Sequence, residues 1–411
     1  MPAAQSNSHE RRVAVLGAGI MGCSVALMLA RAGMNVTLID REPGPFAGAS
    51  RWNEGKIHLG YLYSGDRTLA TARGVVAGGL LFKELMEELI GCSIDPAITP
   101  DDDLYLVHRD SISSVEETHQ YYMDVTALVR KHQDAPRYLV DASDASVQRL
   151  SATDLSAVAD QRRVLAGFRV PERSVATQWI ADRFVETLQC EGRIELAMRT
   201  HVSAVRAASD SWEGDLCVEA QPGISQRFDV VINALWHGRI EIDRTAGVPP
   251  EPGWSHRYRL SLFVRTNQSV QGPSAVLATG PFGDIKNYNG RDFYLSWYPA
   301  GLKIEAHTIE PPATPVLSRD EQQQLARSVF QQLEAYLPWS RRIASAADVV
   351  TVGGGWVFAQ GHGSLADRHA TIHQRDRFGI RQKGAYISVD TGKYSMAPFL
   401  AREVMNRINH V

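Results

Sequence analysis

Two stretches of this 411-residue chain hold side chains and glycines at spacings that could do chemistry. The first is GAGIMG, with Gly17, Gly19 and Gly22 set between a short apolar run and a helical one. Gly17 permits a tight turn, Gly19 lets the backbone approach a pyrophosphate, and Gly22 lets a helix pack close to a strand. A helix opening at Ile20 and Met21 would turn free N–H groups and a partial positive charge toward phosphates. The second stretch is SRWNEGKIHLGYLY, residues 50–63. It holds Ser50, Arg51, Trp52, Asn53, Glu54, Lys56 and His58 within nine positions, broken by Gly55. It is too polar for a core strand and lacks helical periodicity. A glycine turn without ligand, and an exposed polar loop, are the plain alternatives for the two stretches.

The elements around them favour a nucleotide. VAVL at 13–16 reads as a buried strand, CSVALMLARAG as a helix, and NVTLID as a second strand ending at Asp40. This is a βαβ opening of about thirty residues. Asp40, followed by Arg41, can accept hydrogen bonds from both ribose hydroxyls. NAD and FAD both use this fingerprint. A flavin needs contacts further along the chain, and GAS at 48–50 with the polar run after it would supply them. Helices are expected over 67–90, 111–133, 179–192 and 319–337, and alternating strands over 254–310. The order of elements suggests an α/β chain: a doubly wound domain interrupted by a second domain built on a sheet. Residues 1–80, 145–245 and 350–411 are assigned to the first domain, and 81–144 and 246–349 to the second.

A net charge of -3 gives no electrostatic footprint for nucleic acid or an anionic membrane. No window approaches the ~20 apolar residues of a membrane span. The polar start, MPAAQSNSHERR, lacks a signal-peptide core and reads as a disordered tail. Cys23, Cys92, Cys190 and Cys217 form no CxxC pair, which argues against zinc and against a disulfide framework. His362, His369 and His373 fit no metal spacing either, so no metal site is expected. A cytoplasmic protein is the expectation; the oligomeric state is not readable.

Over nearly its full length the chain resembles the FAD-dependent oxidoreductases of the D-amino-acid oxidase family. VAVLGAGIMGCSVALMLARAGMNVTLID is similar to its nucleotide fingerprint, and ASRWNEGKIHLGYLY to a loop in its hydroxyacid branches. THVSAVRA resembles the strand whose backbone, near Val202, touches adenine. DVVINALWHG resembles the strand before a glycine turn, although Trp236 and His237 after Ala234 depart from the usual small residues. GAYISVDTGKYSMAPFLAREV resembles the closing strand, turn and helix that meet the flavin. The resemblance implies FAD as cofactor, and an α/β fold in which a Rossmann-like FAD-binding domain of the glutathione-reductase type is interrupted by a substrate domain with a mixed, largely antiparallel sheet. It places Ser50, Arg51 and Asn53 toward the phosphates, and Gly55, Lys56, Ile57 and His58 toward the isoalloxazine. It brings Gly392, Lys393, Tyr394, Ser395 and Met396 to the flavin.

The closing turn also has a meaning of its own. Gly392 allows a tight turn, and Pro398 suits the first turn of a helix starting near Ser395. That helix N-terminus, with Lys393, would stabilise negative charge on a flavin that has taken a hydride. A solvated turn lysine is the plain alternative. His58 is expected close to the flavin by hydrogen bonding; a covalent bond to it is the lesser reading. A carboxylate substrate would meet an arginine fork. Arg257 and Arg259, at i and i+2 of HRYRLSLFV, are candidates, with a solvated strand face the favoured alternative. Tyr294 and Tyr298 are candidate pocket walls opposite a core-facing set of Phe293, Leu295 and Trp297. Lys286 is a lesser candidate for oxygen chemistry.

The function expected is therefore hydride transfer from a C–H next to an amine, in an amino acid or secondary amine, to FAD. The partners expected are a small carboxylate-bearing substrate and O2 or another electron acceptor. The alternatives are a 2-hydroxy acid or larger biosynthetic metabolite, a nicotinamide-dependent dehydrogenase, and a non-catalytic flavin-binding subunit.

Overall fold

Strand Arg12–Leu16 lies at the centre of a six-stranded sheet. The order is Gly379–Lys383, Tyr386–Asp390, Val230–Asn233, Arg12–Leu16, Asn35–Ile39 and Ile194–Ala197. The last five are parallel, and Gly379–Lys383 is an antiparallel edge. Central strands covered on both faces need apolar residues at every position rather than alternate ones. VVIN is accordingly buried throughout, and RVAVL beyond its first residue. Helices Ile20–Arg31 and Ala397–Ile408 pack together over this sheet. The computed structural model describes residues 11–208, 211–221 and 223–408. The expected N-terminal tail falls, for its first ten residues, outside the described residues.

A nine-stranded mixed sheet forms the second layer. Its spine is the long strand Trp254–Thr266, paired antiparallel along its whole length with Ala347–Gln360. On its other side it meets Asp292–Trp297 and Leu302–Ala306. The sheet then runs on through Gly283–Asn287, Ala275–Ala278, Leu104–His108, Val164–Arg169 and Gln148–Arg149. All its pairings are antiparallel except Ala275–Ala278 with Leu104–His108. Leu260, Leu262, Val264, Phe293, Leu295 and Trp297 form a core under helix Arg319–Tyr336, as the alternation of the sequence predicts. That helix opens with a capping box, Ser318 with Glu321.

Sheet membership departs from the expected segment boundaries in two places. Gln148–Arg149 and Val164–Arg169, assigned to the nucleotide domain, pair into the second sheet. Ala347–Gln360 crosses residue 350 without interruption. Helical residues 67–90 form two helices, Ala70–Leu80 and Phe82–Ile90, rather than one. A three-stranded antiparallel sheet, His201–Ala207, Leu216–Gln221 and Ile224–Phe228, completes the nucleotide side.

Candidate functional site

Both chemically loaded stretches face one cleft of about 410 Å³. The glycine turn forms one end. Gly17 has φ +99°, and a Cβ there would lie 2.7 Å from the Ala234 carbonyl oxygen. At Gly22 a Cβ would fall 1.8 Å from the Gly17 oxygen, so this glycine serves close packing and does not line the cleft. The Ala18 N–H donates to Asp40 Oδ2 at 2.6 Å, and the Glu42 N–H to Oδ1 at 2.9 Å. Asp40 thus shapes the turn and still lines the cleft with Arg41, Thr200 and Val202. Among the described residues no protein acceptor takes the N–H of Gly19 or Met21, two groups at the helix start where phosphate oxygens bind.

The polar loop is stitched onto that turn. Ser50 Oγ accepts the Ile20 N–H at 2.9 Å. Asn53 Nδ2 donates to the carbonyls of Ala49 and Ser50, while its Oδ1 accepts the Gly55 N–H. Thr177 Oγ1, at the start of helix Thr177–Cys190, donates to the carbonyls of Arg51 and Asn53. Arg51 turns away to Asp182 at 2.8 Å and is not on the cleft wall. Beneath the loop runs Gly353, Gly354 and Gly355. A Cβ at Gly353 would sit 2.3 Å from the Trp52 ring, and one at Gly355 2.6 Å from Ala49 Cα. This strand eluded sequence reading because glycine weakens strand propensity; a glycine run in a strand marks close approach of other chain.

At the far end the cleft is lined by Glu54, Lys56, His58, Arg375, Thr391, Gly392, Lys393 and Tyr394. Gly392 has φ +63° and its N–H donates to Asp390 Oδ1. A short turn, Tyr394–Met396, precedes the closing helix, so that helix starts at Ala397 with Pro398 in its first turn. Burial and the neighbouring Lys393, Lys56, Lys286 and Arg375 push His58 well below the ordinary histidine range, so it is neutral. Its Nδ1 is buried without a partner. Burial, reinforced by Arg375, also pushes Lys393 well below the ordinary lysine range; its Nζ lies 4.9 Å from the Tyr63 ring centroid.

The structure brings Gly17, Gly19, Ile20, Met21, Asp40, Arg41, Ser50, Asn53, Lys56, His58, Val202, Ala234, Trp236, Gly392, Lys393 and Tyr394 to one cleft. Gly55, Ile57, Ser395 and Met396 lie behind its wall. Trp236 lines the cleft at φ +57° and its Nε1 donates to the Trp356 carbonyl, so its bulk ties the two sheets together. Tyr294 and Tyr298 also stand behind the wall. Tyr294 is hydrogen-bonded to Ser261 at 2.9 Å and packs with Phe263, Tyr288 and Trp52. Tyr298 accepts from Arg257 Nη1 at 2.9 Å, and the Arg259 guanidinium carbon lies 4.5 Å from its ring centroid.

Three features were not anticipated. Arg257 is buried and Arg259 half-buried, which corrects the solvated strand face; a sheet face covered by the cofactor-side loop cannot meet bulk water. Lys286 is fully buried, 2.5 Å from Asp103 Oδ2, which Lys56 also contacts at 2.8 Å. Burial, with Lys56 nearby, lowers the Lys286 ammonium to about 8. Finally, Arg375 and Glu172 flank His58 from segments carrying no motif. Glu172 accepts the N–H groups of Leu59 and Gly60 and the Tyr105 hydroxyl. The histidines 362, 369 and 373 form no metal cluster, and no cluster of metal ligands occurs among the described residues.

A parallel sheet with a glycine turn at its strand ends, and a second sheet closing over it, is the architecture of a dinucleotide-binding protein. The chain belongs to the FAD dependent oxidoreductase (DAO) family, whose profile matches residues 12–377. Its cofactor is FAD, and the cradle fits it: close-approach glycines, unpaired N–H groups at the helix start and an acidic strand end. Among solved structures it is similar to glycine oxidase from Geobacillus kaustophilus, at 13% identity, covering 97% of this chain and 95% of that one with TM-score 0.67. Iminodiacetate oxidase from Chelativorans sp. BNC1 is 14% identical, with the same coverages and TM-score 0.67. L-proline dehydrogenase from P. horikoshii is 14% identical over 98% of this chain and 94% of that one, TM-score 0.66. Among curated relatives, D-amino acid dehydrogenase of Sinorhizobium medicae (strain WSM419) is 52% identical over 50 residues, 12% of each chain. The match thus spans about an eighth of that relative's length. No helix among the described residues is long and apolar enough to cross a membrane.

Proposed function

We propose that this enzyme oxidises a C–H bond next to an amine, in a carboxylate-bearing amino acid or secondary amine. Bound FAD supplies the hydride acceptor. The observation that carries the reading is the group of basic side chains at the His58 end of the cleft, Arg375 and Lys393 on the wall with Arg257 close behind. A guanidinium fork there can hold a carboxylate and fix which C–H lies over the flavin; orientation is most of what such a transfer needs from the protein. His58 and Lys393 act beside the reacting atoms. Tyr298 acts through Arg257 and Arg259, and Tyr294 through the aromatic packing that backs the loop. Glycine oxidase, iminodiacetate oxidase and L-proline dehydrogenase, named above as similar structures, support an amine over other substrates.

A 2-hydroxy acid is the second reading. The likeness to L-alpha-glycerophosphate oxidase from Mycoplasma pneumoniae, named for an alcohol, supports only its C–OH chemistry and not its carboxylate; that structure is 15% identical with TM-score 0.66 over 97% of this chain and 94% of that one. Anaerobic mixing with D- and L-amino acids, N-methyl amino acids and 2-hydroxy acids decides between them by bleaching of the flavin absorbance. Reduction by hydroxy acids alone would overturn the amine reading. Hydrogen peroxide on admitting air would identify O2 as the acceptor; its absence would point to another carrier. We place the enzyme in the cytoplasm, a reading supported by four cysteines that form no disulfide.

A further inference from the structure

We propose that the substrate brings two negative groups into the cleft rather than the single carboxylate of a simple amino acid. This rests on the amine-oxidising reading for what is oxidised, but it is argued from charge and testable without turnover.

Three guanidiniums gather toward the His58 end: Arg375 on the cleft wall, Arg257 behind it, and Arg259 stacked on the Tyr298 ring that Arg257 bonds, beside Lys393, whose buried amine is pushed well below the ordinary lysine range. None has a carboxylate within ion-pairing distance among the described residues. Their hydrogen bonds go to neutral oxygens: Arg257 Nη1 to the Tyr298 hydroxyl at 2.9 Å, and Arg375 Nη2 to the Phe358 carbonyl at 3.0 Å. The Nε atoms of Arg257 and Arg259 are buried with no acceptor at all. The geometry explains the crowding. Arg257 and Arg259 are two apart on one strand and share a face. Phe358, which holds Arg375, is the register partner of His256, next along the chain from Arg257. Tyr298 lies between the two strand arginines, bonded to one and stacked by the other.

The opposing carboxylates do not balance this. Glu54, on the same wall, offers one negative charge toward Arg259 and Lys393, and burial raises Glu172 beside His58 above the ordinary carboxylate range. Burial raises Asp284 above the ordinary carboxylate range, which favours its neutral form. Asp390 is committed to Arg239 at 3.0 Å, and Asp103 to Lys56 and Lys286. Burial first, and the neighbouring Arg257 second, lowers Arg375 to about 10. Buried cations kept without partners are costly, and a ligand that supplies the missing anions recovers that cost. One carboxylate engages one guanidinium fork. Three guanidiniums drawn from two separate segments are more than one carboxylate can satisfy. An acidic amino acid, or an amine bearing two carboxymethyl groups, has the required chemistry.

The test uses the FAD-loaded enzyme and reads the flavin absorbance while malonate, succinate, glutarate, acetate or butyrate is added at fixed ionic strength. At least one dicarboxylate should bind tenfold or more tightly than either monocarboxylate. In Arg375→Met and Arg259→Met that preference should shrink to about threefold or less. Equal binding of mono- and dicarboxylates by the unaltered enzyme would overturn the proposal, whether or not either variant folds. A turnover arm separates this failure from that of the amine reading. Glutamate reducing the flavin no better than glutamine, and aspartate no better than asparagine, would remove the second anion while leaving amine oxidation standing. If no amine reduces the flavin but dicarboxylates still bind preferentially, the amine reading falls and the dianion site stands.

Discussion

The Glu172 carboxylate accepts the backbone N–H of Leu59 at 2.6 Å, one residue beyond His58. It also accepts the Gly60 N–H at 3.2 Å and the Tyr105 hydroxyl, all away from water. Glu172 therefore fixes where the chain leaves His58 and, through it, where the imidazole meets the cleft. Oε1 takes both backbone N–H groups and Oε2 the Tyr105 hydroxyl, so glutamine can keep its oxygen on the backbone only by setting its amide N–H against the Tyr105 hydroxyl, and the charge on all three bonds is lost. Glu172→Gln is expected to lose about 1.5–3 kcal/mol of stability, the range for hydrogen bonds to charged groups. It should also slow flavin reduction more than it changes substrate KM. Denaturant melts and stopped-flow reduction check both; an unchanged reduction rate in a folded variant would leave Glu172 a purely structural acceptor.

Among the described residues burial lowers five histidines, and His58, His256 and His237 carry the large shifts, with His108 and His373 also lowered. His58 lies well below its ordinary value, His256 is lowered to about 4 and His237 to about 3. In the unfolded chain each takes a proton as pH falls through about 6.5. The folded state then binds fewer protons than the unfolded state, so stability falls with falling pH. The loss begins near pH 6.5 and continues toward pH 4. Between pH 7 and pH 5.5 it should be on the order of 1 kcal/mol for each of the three large shifts. Urea melts of the holoenzyme at these two pH values measure it, and His256→Gln should remove one share of the slope. His58→Ala is expected to shift the flavin spectrum or lower the reduction rate; no change in either would return His58 to an ordinary loop role.

Gly355→Ala tests the support under the polar loop. A Cβ there would meet Ala49 Cα at 2.6 Å, too close to be absorbed without moving the loop. Overpacking of this kind costs about 1–3 kcal/mol. Because Ser50 in the same loop holds the Ile20 N–H, the displacement should also weaken FAD retention. The variant is expected to purify with substoichiometric flavin and a raised FAD dissociation constant, read by fluorescence quenching.

Asp103 neutralises two buried ammonium groups with a single oxygen. Asp103→Asn would strand Lys56 and Lys286 together, and breaking a buried ion pair from one side costs about 3–5 kcal/mol. Failure to express at 37 °C, partly rescued by Asp103→Asn with Lys286→Met, is the expected pattern. A stable single variant would show that water or the neighbouring Glu172 already carries the compensation.

The nucleotide half was legible because its determinants are local. Gly17, Gly19 and Gly22 shape a turn within six residues, and Asp40 is one βαβ unit away. The substrate half was not, because its determinants meet only through pairing. Arg257 looked like half of a solvated strand face until Ala347–Gln360, a strand hidden by its glycines, covered its flank. Glu172 and Arg375 reach His58 from more than a hundred residues along the chain, and nothing in a single sequence announces such a meeting. Tyr298 was read as continuing the strand of Tyr294, whereas a short helix begins at Tyr298 and swings it under the arginines.

Strands Trp254–Thr266 and Ala347–Gln360 carry two unlike duties in register. Arg259 is paired with Gly355, and Arg257 with Val357. On one strand the glycines leave no room for any side chain beneath the cofactor loop. On the other, Arg257 and Arg259 reach across to Tyr298, one by a hydrogen bond and one by stacking on its ring. On the reading proposed above, substitutions at 257 and 259 would alter what is bound, whereas a side chain added to the glycine strand would first displace the loop that rests on it.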